Sequence, residues 1–409
     1  MVTNLAPAGL SIVGDLAQSV GVREAFQWFT REKLWINEQH LELCRIPSPT
    51  FLEHRRAEWM VAQFKSHGCD AHIDRAGNVI AFPEPSNKGP LVALTAHLDT
   101  VIAPKTREEI SVDSDGRFRG PGVSDNGAGL AALLAVARAL KTAPVIEDRH
   151  AGLVFVANVG EEGEGNLSGI RHVCRQSALA RRIQAFLVLD GAGTEHITIQ
   201  ALGSRRFELT FSGPGGHSWS DYGTGNPVHA LSRAVSLFSD TRLNGPPRSA
   251  FNIGVIEGGA SINSIPTLAR AKIDIRSESN EKLDSLVDLL TAAVEQAQTV
   301  ENDRATGGKV AAKLKEIGSR PAGRLADGAS ILSFIRAVDA HLGIRSHLDC
   351  ASTDANIPLS LEIPAISIGA GGSGGKAHTP NEWFLPEGRD LALKRILLTL
   401  VLLLRDVSP

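Results

Sequence analysis

The stretch at residues 153–165, LVFVANVGEEGEG, constrains the fold most strongly, because an apolar run ends there in adjacent glutamates. Its small and apolar residues, β-branched at intervals, predict a buried strand. Two neighbouring carboxylates at the end of such a strand are unfavourable unless positive charge lies beside them. The sequence therefore predicts a cation next to Glu161 and Glu162.

Other apolar runs also lead into acids and histidines. Residues 91–96 are followed by His97 and Asp99, residues 185–189 by Asp190, and residues 365–369 by a glycine-rich loop and then His378. Asp125 stands shortly before the apolar helical pattern of residues 128–140. Such side chains, collected at the carboxyl ends of buried strands, indicate a site at the usual edge of an open α/β sheet.

These side chains match the needs of a two-metal site. Imidazole nitrogen and carboxylate oxygen hold zinc well when an open position for water is wanted. Two ions about 3.5–4 Å apart need one bridging carboxylate and a few terminal ligands. The predicted ligands are His97 and Asp190 on one ion, Glu162 and His378 on the other, and Asp125 as the bridge.

Two further acids have predicted supporting roles. Asp99, two residues beyond His97, is placed to accept the second ring N–H of that histidine and so to fix its tautomer. Glu161 is then available as the general base for a water between the ions.

Single residues also allow plainer interpretations. His97 alone fits a satisfied core histidine, and the pair Glu161 and Glu162 alone fits a solvated turn. Asp190 has the alternative role of a helix N-cap. Glu382 either supports the late histidine or lies on the surface.

Residues 203–322 predict a second unit of a different kind. Their pattern is strand, helix, strand, strand, helix, strand, which is the order of a ferredoxin-like split βαβ unit. Because the late histidine belongs with the earlier ligands, this unit is predicted to be inserted into a domain formed by residues 1–202 and 323–409. Residues 24–43 and 55–67 predict helices, and residues 106–119 a hairpin.

Composition argues against several other classes of protein. A hydrophobic fraction of 43% and a charged fraction of 21% are typical of a soluble globular protein. The net charge of −3 gives no electrostatic reason to bind nucleic acid or an anionic membrane. The first 20 residues lack the positive flank of a signal peptide and predict a loose leader. Four cysteines without CxxC spacing fit reduced thiols in a cytoplasmic protein.

Five motifs in order resemble the M20 family of metallopeptidases: HLDT from His97, GVSDN around Asp125, GEEG, LDG and the late His378. That family includes dipeptidases, tripeptidases, glutamate-releasing carboxypeptidases and N-acyl-amino-acid deacylases. The resemblance covers nearly the whole chain. It implies an α/β domain with a mainly parallel sheet flanked by helices, an inserted lid or dimerisation domain, two Zn²⁺ per chain and a homodimer built through the lid. Co²⁺ or Mn²⁺ would accept the same ligands and stay alternatives.

The resemblance also implies roles for residues of the inserted unit. His217, in the sequence GPGGHS, matches a histidine that reaches the partner subunit's site and polarises the scissile carbonyl. Asn263 and Arg276 match residues that hold the substrate carboxylate. Arg276 has the alternative of pairing with Asp274 or Glu278.

One motif departs from the family pattern. Many members have a second Asp and then Lys after the bridging acid, whereas this chain has Asn126 and Gly127. The departure leaves metal binding possible and loosens any subfamily assignment. The resemblance further implies a cis peptide bond between Asp125 and Asn126.

The expected function is zinc-dependent hydrolysis of an amide bond in a small peptide with a free carboxylate. An N-acyl- or N-carbamoyl-amino-acid amidohydrolase would use the same residues and stays an alternative. A metal-binding relative without activity is the alternative from another class. Loss of a ligand or of Glu161 would mark such a relative, and the chain retains them all.

Overall fold

The computed structural model describes residues 7–84, 89–143, 145 and 149–406. The chain divides into two compact units. Met1–Ala201 with Arg324–Pro409 form the first, here called the discontinuous unit, and Leu202–Gly323 form the inserted unit. The boundaries predicted from sequence differ from these by one residue at each junction.

Helices occur in both units. Within the described ranges they are, in chain order, α1 Pro7–Gln18, α2 Val20–Arg31, α3 Lys33–Cys44, α4 His54–Ser66, α5 Gly127–Thr142, α6 Ser168–Arg175, α7 Pro227–Ser239, α8 Asn280–Arg304, α9 Ser330–Leu342, α10 Asn356–Ser360 and α11 Arg389–Asp406.

Strands alternate with these helices. Within the same ranges they are β1 Asp70–Ile73, β2 Val79–Phe82, β3 Leu91–His97, β4 Ser111–Val112, β5 Phe118–Arg119, β6 Gly152–Asn158, β7 Ile183–Leu189, β8 His196–Ala201, β9 Gly203–Ser212, β10 Gly216–His217, β11 Ser249–Gly258, β12 Ser264–Ile265, β13 Leu268–Ser277, β14 Ala311–Arg320, β15 Gly323–Arg324, β16 His347–Ala351, β17 Ala365–Ile368, β18 Ser373–Gly375 and β19 Trp383–Leu385.

A mixed sheet with the strand order β1-β2-β6-β3-β7-β17-β8-β15 forms the centre of the discontinuous unit, and β16 pairs with β8. The neighbours β6, β3, β7 and β17 run parallel. Every residue of β3, LVALTAH, is buried, as expected for a parallel strand covered on both faces. The predicted α/β class, with a mainly parallel central sheet flanked by helices, is confirmed.

Two apolar helices cover this sheet. The sequence of α5, GAGLAALLAVARALKT, consists largely of strong helix formers, and most of the helix is buried. The long apolar run of α11 is buried as well, and both helices contact β3. None of the helices in the described ranges is long and apolar enough to cross a membrane.

The prediction for the N-terminal region was wrong in two respects. Pro7–Gln18 is helical rather than a loose leader, and residues 1–6 of that prediction lie outside the described residues. Val13 and Leu16 are buried, and α1 packs against α9, a contact that local sequence does not reveal. The helix predicted over residues 24–43 consists of α2 and α3, which are separated at Glu32.

The inserted unit has the order β9, α7, β11, β13, α8, β14 and a sheet arranged β11-β13-β9-β14. All neighbours in this sheet are antiparallel. Burial alternates along β13, and α7 and α8 pack against β13 and β9. This is the predicted ferredoxin-like arrangement, with its own core around Phe207, Phe211, Ile275 and Leu286.

A small sheet of the discontinuous unit has the order β18-β19-β5-β4. The predicted hairpin of residues 106–119 is present as β4 and β5. β5 pairs with β19, which follows His378 in sequence. The sheet thereby joins the segment that precedes Asp125 to the segment that carries His378.

Candidate metal centre

Parallel strands bring the predicted ligands to one edge of the central sheet. His97 is the last residue of β3, and Glu162 follows β6 after a short turn. Asp190 directly follows β7, and His378 follows β17 after the glycine-rich loop. Because β6, β3, β7 and β17 are parallel neighbours, their carboxyl ends meet at the same edge.

The two carboxylate oxygens of Asp125 face two different histidines. Oδ1 lies 3.0 Å from Nε2 of His97, and Oδ2 lies 3.1 Å from Nε2 of His378. Glu162 Oε1 is 2.8 Å from the same nitrogen of His378, and Asp190 Oδ1 is 3.9 Å from Nε2 of His97. The Asp125 carboxylate thus lies between two groups, His97 with Asp190 and His378 with Glu162.

The chemistry of these side chains fits a divalent cation. Ligand atoms of His97, Asp125 and Glu162 lie within 4.8 Å of one another. Imidazole nitrogen with carboxylate oxygen suits Zn²⁺, and Co²⁺ and Mn²⁺ accept the same donors. The residues present therefore fit the metal that the sequence predicted.

Positive charge is strongly favoured at the two histidines. Hydrogen bonds to Asp125 and Glu162 raise the pKa of His378 to about 10. Burial alone would lower the pKa of His97, but hydrogen bonds to three aspartates outweigh it and raise that pKa well above the ordinary value. Burial opposes charge on Asp125 too, yet its two histidine partners hold its pKa below the usual range. The cluster stabilises positive charge at the nitrogens that would ligate an ion.

Buried Asp99 orients the loop that carries the glutamates. Its Oδ1 and Oδ2 accept the backbone N–H groups of Glu161 and Glu162, each at 2.9 Å. Nδ1 of His97 lies 3.0 Å from the backbone carbonyl oxygen of Asp99 and 3.5 Å from Oδ1. The predicted contact between His97 and the Asp99 carboxylate is therefore longer than the contact between His97 and the Asp99 backbone carbonyl, because that carboxylate accepts the two backbone N–H groups.

Glu382 is buried, with 2% of its surface exposed, so the surface alternative is wrong. Its carboxylate accepts the backbone N–H groups of Gly122, Ser124 and Asp125 at 2.7–2.8 Å. Burial raises the pKa of Glu382 to about 7, although these hydrogen bonds oppose the shift. Glu382 supports the loop of the bridging acid.

Asn126 links the Asp125 loop to the end of β7. The peptide bond between Asp125 and Asn126 is cis, as the resemblance implied. The Asn126 side chain caps α5 by accepting the N–H of Gly129, and it donates to the carbonyl oxygen of Leu189. Asp190 follows Leu189 and leads into β8, so the helix-cap alternative for Asp190 is wrong.

Two polar residues near the centre were not found by sequence reasoning. Thr50 Oγ1 donates to Asp99 Oδ2 at 2.9 Å. Asp354 is fully buried and accepts a hydrogen bond from Asn158 Nδ2 at 2.7 Å, and burial raises its pKa to about 7. Each of these hydrogen bonds joins residues that are distant in sequence. The sequence around Thr50 and Asp354 offers no signal beyond the presence of a polar residue.

Two predicted residues of the inserted unit lie side by side. His217, on β10, pairs with Ser264 of β12, and the N–H of Ser218 donates to the carbonyl oxygen of Asn263 at 3.0 Å. Nδ1 of His217 accepts the backbone N–H of Trp219 at 3.2 Å. Since Nδ1 is an acceptor, Nε2 carries the ring proton and is a donor.

Arg276 lies at the other end of β13 from this pair. Asn263 precedes the strand, which starts at Leu268, and Arg276 is its penultimate residue. At roughly 3.3 Å per residue, the strand separates the two ends by about 26 Å. Arg276 Nε donates to Asp274 Oδ2 at 2.7 Å, so the alternative ion pair is present. Asn263 and Arg276 of one chain are too far apart to hold the same carboxylate.

Known proteins are similar to this chain in sequence. The chain is 24% identical to the uncharacterised protein YqjE of Bacillus subtilis over 359 residues, covering 84% of this chain and 92% of YqjE. It is 26% identical to the succinyl-diaminopimelate desuccinylase of Corynebacterium glutamicum over 338 residues, covering 80% and 86% of the two chains.

A solved structure shows the same architecture. The YXEP protein of Bacillus subtilis, described as a dinuclear metal binding peptidase from the M20 family, matches with a TM-score of 0.67. Its sequence identity is 16%, and the match covers 93% of this chain and 99% of the other.

Sequence and site agree on one family. Residues 93–402 match the sequence model described as Peptidase family M20/M25/M40, and this range includes all five grouped acids and histidines. The match extends over most of the chain, so the protein belongs to this family and is a metal-dependent hydrolase.

Proposed function

We propose that the protein is a two-zinc amidohydrolase that cleaves an amide bond in a small peptide carrying a free carboxylate. One observation carries the proposal: the two oxygens of Asp125 face the Nε2 atoms of His97 and His378 at 3.0 and 3.1 Å. A carboxylate that faces two imidazoles with its two oxygens has the form of a bridging ligand.

His97, Asp190 and Asp125 would hold one ion, and Glu162, His378 and Asp125 the other. When bound, two Zn²⁺ ions supply Lewis acidity that activates water and polarises the scissile carbonyl. Co²⁺ or Mn²⁺ would be accepted by the same donors.

Glu161 is proposed as the general base and acid. Asp99 accepts the backbone N–H groups of Glu161 and Glu162, and these hydrogen bonds fix the backbone positions of the two glutamates. Successive side chains of an extended segment diverge, so the glutamates have separate roles. Glu162 contacts His378, and Glu161 takes the proton of the attacking water and gives it to the leaving amine.

His217 is proposed to donate from Nε2 to the carbonyl oxygen of the scissile bond as negative charge develops there. The acceptor role of Nδ1 toward the backbone N–H of Trp219 supports this tautomer. Asn263, which adjoins His217, and Arg276 are proposed to bind the substrate carboxylate. A guanidinium binds such a group with two parallel hydrogen bonds.

The separation along β13 supports a homodimer formed through the inserted unit. Asn263 and Arg276 lie at opposite ends of the strand, so a carboxylate bound by both takes one residue from each subunit. β11, a ten-residue strand at the edge of the inserted unit's sheet, offers a surface for such pairing.

The desuccinylase relative supports a second candidate, an N-acyl- or N-carbamoyl-amino-acid amidohydrolase. The proposed catalytic residues serve either substrate class. A metal-binding protein without activity is the candidate from another class, and it predicts metal uptake without turnover.

A substrate screen tests the proposal. Metal-loaded protein would be incubated with dipeptides, tripeptides and N-acyl amino acids, each with a free and with an amidated carboxylate. We expect hydrolysis that a chelator abolishes and added Zn²⁺ restores, with the amidated analogues cleaved poorly. Arg276→Ala should remove most of that preference. Metal uptake without hydrolysis of any substrate would contradict the proposal.

A further inference from the structure

The turn at residues 50–53 is fastened to the metal centre on both sides. Thr50 Oγ1 donates to Asp99 Oδ2 at 2.9 Å. Glu53 Oε1 accepts the backbone N–H of Gly160, the residue before Glu161, at 3.0 Å. The turn is therefore tied to both loops that carry the proposed catalytic groups.

Further backbone contacts fix the turn itself. The N–H of Leu52 donates to the carbonyl oxygen of Pro49 at 2.8 Å, and Pro49 forms a parallel bridge with Thr100. A Cβ atom added to Gly165 would lie 2.7 Å from Thr50 Cγ2, so Thr50 also packs closely against the glutamate loop. These contacts leave little freedom to the two residues between the anchors.

Those two residues are large, apolar and exposed. Phe51 has 65% of its surface exposed and Leu52 has 69%, and neighbouring Val101, next to Thr100, has 45%. Phe51 also adopts a φ of +75°, in the left-handed region that bulky residues rarely occupy. Such a conformation persists only where its surroundings fix it, and it is enriched at functional sites.

The distance from Phe51 to the Asp99 loop is short. Thr50 adjoins Phe51 and hydrogen-bonds to Asp99, so the Phe51 Cα lies at most about 9 Å from the Asp99 carboxylate. A small amide substrate and a phenylalanine side chain both span distances of this order. An exposed aromatic side chain therefore starts from a backbone position close to the loops that carry His97 and Glu161.

We infer that Phe51 and Leu52, with Val101, form the apolar subsite that binds the acyl half of the substrate. The inference rests on the proposed function, which assigns the free carboxylate to Asn263 and Arg276 and leaves the acyl half to the discontinuous unit. The substrate class is an amide whose acyl side carries a large apolar group, such as a leucyl dipeptide or a long-chain N-acyl amino acid. Glycyl and acetyl substrates gain little from this surface.

The test compares Phe51→Asn with the wild type. Asparagine tolerates the left-handed backbone, so the turn is retained while the aromatic ring is lost. For leucyl and glycyl dipeptides that share a C-terminal residue, the variant should reduce the ratio of the two kcat/KM values at least about 10-fold. Leu52→Ser should act in the same direction. Leu34→Asn, at a residue of α3 that is 78% exposed, is the matched control and should leave the ratio as in the wild type.

A binding measurement separates this inference from the proposed hydrolysis. The probes are leucine hydroxamate and glycine hydroxamate, titrated calorimetrically into the metal-loaded protein. We expect the wild type to bind leucine hydroxamate more tightly than glycine hydroxamate, and Phe51→Asn to lose this preference. That result supports the subsite even if the wild type hydrolyses no amide, and only the proposed hydrolysis then fails.

Two results would overturn the subsite. In the first, Phe51→Asn and Leu52→Ser leave unchanged both the leucyl-to-glycyl ratio of kcat/KM values and the preference for leucine hydroxamate over glycine hydroxamate. In the second, light scattering shows that these variants change the oligomeric state while selectivity is retained, so that the apolar surface serves contact with a second copy of the chain.

Discussion

The Glu382 carboxylate accepts the backbone N–H of Asp125 at 2.8 Å, across 257 positions of sequence. The same carboxylate also accepts the N–H groups of Gly122 and Ser124. Glu382 follows His378 by four residues, so it joins the segments of two proposed ligands. A buried carboxylate with three backbone donors fixes the position of the Asp125 loop relative to His378.

Replacing Glu382 should therefore weaken metal binding without removing a ligand. In Glu382→Gln, an amide N–H₂ group meets backbone N–H groups that require an acceptor. Outer partners of metal ligands are typically worth about 10- to 100-fold in metal affinity. We expect a loss of that size, measured by competition with a zinc chelator.

Glu387→Gln is the matched control, because Glu387 is exposed and lies on the same segment. Zinc affinity in this variant should equal that of the wild type. Equal affinity in Glu382→Gln as well would show that the loop keeps its position without the Glu382 carboxylate.

The sequence predicted what depends on local order. The glutamate pair shortly follows β6, and Asp190 directly follows β7. Recognising the two apolar strands was therefore enough to predict that these acids lie at one edge of the sheet. The ferredoxin-like order of the inserted unit was also predictable from local sequence. Its apolar residues recur with a period of about 2.0 in strands and about 3.6 in helices. The M20 resemblance rested on the same short motifs.

The residues whose roles were left open or missed depend on contacts distant in sequence. Glu382 is bonded to residues 257–260 positions away, and Asp354 to Asn158 across 196. Neither acid carries a local signal that separates a buried acceptor from a surface carboxylate. The separation between Asn263 and Arg276 follows from the strand between them, which the sequence also predicted, but its consequence for a shared carboxylate was not drawn from the sequence.

The stability of the fold should depend on pH through His67. Burial, aided by the charges of Arg138 and Lys141, lowers the pKa of His67 to about 4, against roughly 6.5 in the unfolded chain. The unfolded state therefore binds the His67 proton more tightly than the folded state does. The contribution of neutral His67 to the free energy of unfolding is complete above pH 6.5 and is lost as pH falls toward 4. We expect this histidine to account for about 1–2 kcal/mol of that loss.

Urea unfolding at several pH values tests this in metal-free protein. The difference in unfolding free energy between wild type and His67→Gln should decrease as pH falls from 6.5 to 4. His54→Gln, which removes an exposed histidine of the adjoining helix, serves as the control. A difference that stays constant with pH would show that His67 does not titrate in this interval.

The glutamate pair should separate catalysis from metal binding. Glu161→Gln keeps the shape of the side chain and removes its basicity, so kcat should fall by about 10²- to 10⁴-fold with metal content unchanged. Glu162→Gln should instead weaken one of the two ions. Metal analysis and kcat, measured on both variants, check the assignment, and exchanged results would mean that the two roles are reversed.

The last prediction concerns the subunit from which His217 acts. Proteins carrying His217→Ala or Glu161→Gln should each be inactive, but a mixed dimer contains one site with both an intact base and an intact partner histidine. After complete subunit exchange, about a quarter of wild-type activity should return, because half of the dimers are mixed and each has one working site.

Two other mixtures make the complementation specific. His217→Ala with Asn263→Ala should not recover, because each site then receives one damaged lid residue from the opposite subunit. His217→Ala with Arg276→Ala should recover. Asn263 adjoins His217 and so comes from the opposite subunit, which leaves Arg276, at the far end of β13, to the subunit that holds the metals. If no mixture regains activity although subunit exchange is demonstrated by mass-labelled chains, His217 does not act across subunits.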